Sequence, residues 1–281
     1  MRRILASIII GALATPAAAR DGSGYAGLEG GVMFPRNLSG DIAVTYPRNT
    51  TPSGLVSYPD GVSLQAKTGY DIDAIAGYDF GMFRVEGELA YKHSSLSGLN
   101  LSSQLLTNLS TASGANPVLT NGDIDLVSPR ASALSGMLNG LVDLGGDDGV
   151  GGYIGLGIGE AQVKRLTDSD SGFAWQLIAG VRMPVSAGID VGLKYRYFST
   201  GSLRFNGAFD FGAAGEFPYR TDAKFRSHSL LASVIFNFGA RTVPPPAPPP
   251  PAPPPPPVVE QPVPLPPPPP PPPAQGGERG N

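Results

Sequence analysis

The sequence predicts an all-β fold, and three observations carry that prediction. Eight segments alternate apolar with polar residues, which puts aliphatic and aromatic side chains on one strand face and charges on the other. The connections between them alternate in length, tight after the second, fourth and sixth segments and longer after the odd ones. On the apolar face the aromatics gather at the two ends of the segments, with small aliphatics between. A soluble core concentrates its large aromatics centrally, whereas two aromatic girdles around an aliphatic belt are what a bilayer selects. Together these features specify an eight-stranded antiparallel up-and-down transmembrane β-barrel with a disordered proline-rich C-terminal tail. Closure satisfies every backbone hydrogen bond in lipid, which an open sheet cannot do.

The strands follow in order. Gly24–Phe34 puts Ala26, Leu28, Val32 and Phe34 on one face and Glu29 on the other. Ala66–Phe80 sets Tyr70, Ile72, Ala74, Ala76, Tyr78 and Phe80 against Lys67, Asp71 and Asp73. Gly81-Met82 is a tight connection to Phe83–Tyr91, the most sharply divided segment, with Phe83, Val85, Leu89 and Tyr91 opposite Arg84, Glu86 and Glu88. Lys92 continues the ionic face. Ser132–Leu144 opposes Leu134, Leu138, Val142 and Leu144 to Ser135, Asn139 and Asp143. Residues 145–149 form a turn. Ile154, Leu156 and Ile158 face away from Gly155, Gly157 and Gly159, a glycine face that leaves room for bulky neighbours or sharp curvature. Phe173–Val181 opposes Gln176 and Arg182. Ile189–Tyr197 opposes Asp190, Lys194 and Arg196, and the last strand runs to Phe238.

The long connections read as loops. The first, rich in proline at positions 35, 47, 52 and 59, is a loop by composition. In the second, to about Arg130, Leu101, Leu105 and Leu109 fall at helical spacing, but a loop packing its own leucines is the expected arrangement. Lys164–Gly172 reads as a shorter loop, and a last one runs to about Asp222. Glu160, Arg226 and His228 fall on the outward parity at the loop ends of their strands, so they are expected at or above the headgroups.

Composition and the termini set the organisation. A net charge of −3 leaves no electrostatic footprint for nucleic acid, and the absence of cysteine excludes disulfides and thiolate metal sites. Arg2 and Arg3 precede the apolar run Ile4–Ala14, and Ala17-Ala18-Ala19 follows: a signal peptide over 1–19, cut between Ala19 and Arg20. The run is shorter than the roughly 20 residues of a membrane helix. The barrel is expected over 20–239 and a periplasmic tail over 240–281. From Pro244 to Pro273 proline dominates, and as polyproline II that stretch reaches on the order of 90 Å. It reads as a stiff spacer; the alternative is a ligand for a periplasmic proline-recognition partner.

No catalytic, cofactor-binding or metal site is predicted. In Ser227-His228-Ser229 the histidine points away from both serines, as strand neighbours must. His93 has no evident nucleophile. Asp168-Ser169-Asp170-Ser171-Gly172 echoes the start of a calcium loop, but Ala179 stands where the bidentate glutamate belongs. The strongest constellation is an interior charge network. Glu29, Asp71, Asp73, Glu86, Glu88 and Asp190 share the inward parity with Lys67, Arg84, Lys92, Arg182, Lys194 and Arg196. An eight-stranded lumen is about filled by side chains, and charges buried there must pair. The expected pairs join Arg84, Lys194 and Arg196 to Glu86, Glu88 and Asp190, as a structural plug; partner exchange would instead make a gate.

Several of these segments resemble a known family. Phe173–Arg182 (FAWQLIAGVR), Gly192–Phe198 (GLKYRYF) and Ser227–Leu231 (SHSLL) resemble strands six, seven and eight of the OmpA-like outer-membrane barrels. Tyr153–Gly159 (YIGLGIG) resembles their fifth, and a proline-rich linker follows the barrel in many of them. The resemblance implies a Gram-negative outer membrane, with both termini periplasmic and lipid and lipopolysaccharide as surroundings. In two-domain members a peptidoglycan-binding domain follows the linker. The residues to Asn281 show no counterpart, so cell-wall anchoring is not carried over. Two function classes follow: a structural and surface-interaction barrel, or a narrow porin-like channel for water, ions or small solutes. A lipid-modifying enzyme is a distant third.

Overall fold

The structure, a computed structural model, describes residues 22–124, 130–145, 149–166, 168–186 and 188–238. The signal segment with Ala19 and Arg20, most of the 145–149 turn, and the proline-rich tail lie outside the described residues. Twelve strands form one sheet: β1 (Ser23–Pro35), β2 (Leu38–Tyr46), β3 (Gly54–Ala66), β4 (Gly69–Asp79), β5 (Phe83–Leu101), β6 (Arg130–Leu144), β7 (Gly151–Arg165), β8 (Asp168–Ser186), β9 (Ile189–Thr200), β10 (Leu203–Asp210), β11 (Glu216–Ala223) and β12 (Arg226–Phe238). One helix, α1 (Ser103–Ser113), follows β5.

Eight of these strands close into the barrel. Its circuit is β1-β4-β5-β6-β7-β8-β9-β12, every neighbour antiparallel, with β1 paired to β12 and β5 to β6. These are the eight segments read from alternation. Burial runs opposite to a soluble protein: Leu28 is 66% exposed, Leu138 59% and Leu156 61%, while Arg84 and Lys92 are buried. Outward aromatics ring both ends, with Phe34, Tyr70, Tyr91, Trp175 and Tyr195 at one and Tyr78, Phe80, Phe83, Phe236 and Phe238 at the other. The glycine face of β7 admits its neighbours, since a Cβ at Gly157 would lie 2.0 Å from Asn139 Oδ1.

The first and last long connections correct the sequence reading, because most of their length is strand. The first folds into the β2–β3 hairpin and the last into β10–β11. They join through β11–β2, and β3 pairs with the upper part of β5, so the barrel wall continues outward as a second storey. The prolines misled because they sit where no ladder donor is needed. Pro47 and Pro52 flank the hairpin turn, and Pro59 lies in a bulge where the register shifts between Gly40 and Ile42. There the Asp60 amide donates to Asp41 Oδ1 at 2.9 Å.

The leucine stretch is corrected as well. Leu101 ends β5, and Leu105 and Leu109 lie fully buried on α1. Ser102 caps its start, and Gly114 ends it in the left-handed region at φ 73°. These leucines pack on Ile42, Val44, Tyr58, Val62 and Phe217 of the second storey. The expected loop 164–172 is instead a continuing ladder down to Arg165 opposite Asp168. Asp170 and Asp168, the calcium-like carboxylates, accept the Arg204 and Asn206 amides at 2.8 and 2.7 Å and so cover the edge of β10.

Leu109→Ala should therefore cost about 2–5 kcal/mol within the second storey. Limited proteolysis is expected to open the β2–β3 hairpin, while the barrel keeps its heat-modifiable gel migration. Loss of that migration would show that the two storeys unfold together.

Candidate functional site

The inward side chains of the barrel build one continuous polar site. Every predicted network residue among Glu29, Asp71, Asp73, Arg84, Glu86, Glu88, Lys92, Arg182, Asp190, Lys194 and Arg196 is at most 4% exposed. Lys67 is the exception: β4 begins only at Gly69, and Lys67 is exposed beyond it. Two acids join that the network did not include. Asp79 and Asp143 sit on the inward parity of β4 and β6, a signal present in the alternation itself.

The network has three tiers. Nearest the turn end, Arg84 forks onto Asp143 with Nε and Nη2 both at 2.9 Å. Arg182 reaches Asp79 at 2.8 Å and Asp143 at 3.2 Å. The rings of Tyr25 and Tyr153 lie 5.8 and 4.7 Å from the Arg84 guanidinium. Tyr25 fits because β4 has glycine opposite it, where a Cβ at Gly77 would stand 2.6 Å from the phenol oxygen. Asp190 accepts from Asn237 at 3.0 Å. The expected partner of Arg84 is thus replaced: Arg84 takes Asp143, the diagonal neighbour on the strand it pairs with, because Arg84 stands opposite Leu141.

In the middle tier Lys194 lies between two carboxylates, 2.6 Å from Glu29 and 3.5 Å from Glu86. Tyr25 donates to Glu86 at 3.1 Å, and Asn139 donates to both Glu86 and Glu88 at 3.1 Å. Above it, Arg196 gathers Asp71, Asp73 and Glu88, at 2.8 Å from Asp73 and 2.5 Å from Glu88. Ser229 donates to Asp71 at 2.6 Å, and Gln176 to Glu88 at 3.1 Å. Lys92 lies 3.7 Å from Asp71 and over the Phe198 ring at 4.4 Å.

Among the described residues the three tiers hold eight carboxylates and five cationic side chains. The neutral donors Tyr25, Asn139, Gln176, Ser229 and Asn237 face the carboxylates and supply compensation that the cations do not. The oxygens of Glu29, Asp73 and Glu88 lie within 4.8 Å of one another, a spacing a metal ion could span. Lys194 and Arg196 already stand against them, so side-chain ammonium and guanidinium groups fill the cation's role.

Above the ionic tiers the interior turns mainly apolar, with the buried Arg165 guanidinium over the Phe205 ring at 4.5 Å. Met33, Met137, Val163, Phe198, Leu203, Phe205 and Phe225 form one buried cluster across the upper lumen. Ser227 and Ser229 are buried inside the wall, while His228 turns outward, its Nδ1 2.7 Å from the Tyr195 hydroxyl oxygen.

Removing the hub of the network should show its weight. Arg196→Ala strands three carboxylates and is expected to lower urea stability in lipid vesicles by roughly 3–5 kcal/mol. Leu193→Ala, lipid-facing and close by on the same strand, should change it far less. Equal losses would mean that the charges line a wet lumen.

Comparison with known proteins places this architecture. No curated protein matches. Among solved structures, the chain is similar to neisserial surface protein A (14% identity, 76% of this chain and 97% of that one, TM-score 0.42). It is also similar to OprG of Pseudomonas aeruginosa (13%, 78% and 99%, 0.48) and to Ail, the attachment invasion locus protein of Yersinia pestis (12%, 76% and 99%, 0.32). The family model for the outer membrane protein beta-barrel domain matches residues 4–238. With the closed circuit, the inverted burial and that match over most of its length, the chain belongs to the outer membrane protein beta-barrel family.

Proposed function

We propose that this outer-membrane barrel is a closed, non-enzymatic scaffold that carries a structured surface storey for interaction outside the cell. The observation that supports it is the double seal of the lumen. Three tiers of buried ion pairs are followed by the apolar cluster around Phe198 and Phe225. An ion crossing this path would have to break buried pairs and then leave water altogether, each at a cost of several kcal/mol. The strand ends at Ser23 and Phe238 lie at the tight-turn end, which in this reading is periplasmic. The long connections then face outward, and the proline-rich tail acts as a periplasmic spacer.

One observation favours a second reading, a narrow gated channel. Lys194 lies within reach of two carboxylates and Arg196 within reach of three, so partner exchange needs only small movements.

Planar-bilayer recording separates the two. The scaffold reading expects the parent barrel to give no resolved single-channel steps, and Arg196→Ala to stay silent because the apolar tier remains. The gated reading expects Arg196→Ala to conduct. Steady steps from the parent at neutral pH would overturn the scaffold.

A further inference from the structure

Outward-facing charge is unevenly placed along the barrel. At the turn end, the described cations Arg84 and Arg182 both point into the lumen. At the loop end, Arg36, Lys224 and Arg226 lie on the outside of the wall, immediately above the lipid-facing pair Phe34 and His228. The Arg36 amide donates to the Arg226 carbonyl at 2.9 Å, so the two arginines are cross-strand neighbours. Like charges directly opposite one another destabilise a sheet. None of the three cations has an ion-pair partner among the described residues.

The local backbone turns this triad into a cleft. Between β1 and β2 the inward parity changes, from odd residues such as Met33 to even ones such as Leu38, and the ladder is interrupted at Arg36-Asn37. Beside this interruption is a cleft of about 690 Å³, lined by the three cations at its foot and by Asp41, Asp60 and Asp222 further along β2, β3 and β11. None of those acids forms an ion pair with the triad among the described residues. Asp41 accepts the Asp60 amide at 2.9 Å, and Asp222 faces Arg204 and Arg220 at 3.6 and 3.4 Å.

We propose that this cleft binds a phosphorylated glycolipid of the outer leaflet, its phosphate held by Arg36, Lys224 and Arg226. Charge complementarity and position support this occupant. The cations sit one residue step above an aromatic girdle, at the depth where headgroup phosphates lie, and guanidinium groups match phosphate oxygens in bidentate geometry. The carboxylates farther out accept hydrogen bonds from sugar hydroxyls, which a soluble phosphate lacks. The inference rests on the loop end facing the outer leaflet. It is tested in micelles, where cellular orientation plays no part and conductance is irrelevant.

The experiment is native mass spectrometry of the barrel purified in neutral detergent. It would be titrated with bisphosphorylated lipid A and, separately, with dephosphorylated lipid A. The parent should retain the phosphorylated lipid and not the dephosphorylated one. The variant R36Q/K224Q/R226Q, with folding checked by heat-modifiable migration, should lose affinity by roughly a hundredfold, from the attraction each base contributes to anionic headgroups. Arg130→Gln, an exposed cation three strands away around the barrel, should retain it unchanged. Equal retention of the two lipids by the parent would overturn the proposal without any variant. So would equal retention by parent and triple variant, or displacement of the lipid by inorganic pyrophosphate at matched concentration, which would mark a soluble-phosphate site.

Discussion

The contact of the Arg196 guanidinium with Asp71, Asp73 and Glu88 is the constraint on which the barrel interior depends. It ties β9 to β4 and β5 across the lumen, and Ser229 draws β12 into the same cluster through Asp71. A charge buried this deeply is tolerable only if compensated, so each strand that brings an acid inward must find a cation or neutral donor from another strand. This requirement also fixes register. A slip by one residue on any of these strands would turn its charges to lipid and its aliphatic face to the network. Pairing and register are therefore two consequences of one electrostatic condition.

That condition relaxes above Lys92, where Arg165 over the Phe205 ring is the buried cation among mainly apolar side chains, and the change explains the division of the molecule into storeys. Lys92 meets both regimes, with its ammonium between Asp71 and the face of Phe198. Beyond Phe198 the wall no longer needs to be polar inside and apolar outside. β2, β3, β10 and β11 instead bury Ile42, Val44, Tyr46 and Phe217 against α1, in the manner of an ordinary water-soluble sheet with one covered face. The edge of β10, which lipid does not protect there, is covered by carboxylates rather than by another strand.

The membrane part of this arrangement was legible in the sequence because alternation is a local signal. Phe83 to Lys92 displays it without help from any distant residue, and it located all eight barrel strands. Pairing was less legible, because it depends on which strands stand side by side or across the lumen. Arg84 finds Asp143 through the β5–β6 register, and Arg196 finds Asp71 and Asp73 across intervening strands at a distance set by barrel width. The second storey was hidden for another reason. Proline in the β2–β3 region marks loops on average, yet Pro59 occupies a bulge and leaves the strands on both sides intact. Leu105 and Leu109 carried the right helical spacing, but only the sheet beneath α1 decides that the helix forms.

The central claim, that the ionic tiers are dry and paired, is tested most directly by proton exchange of the arginine side chains in the ¹⁵N-labelled, folded barrel. The account predicts that the Arg196 guanidinium protons are resolved and slow to exchange with solvent, while those of exposed Arg48 exchange fast. Exchange at Arg196 as fast as at Arg48 would show water moving freely through the lumen and would contradict the account.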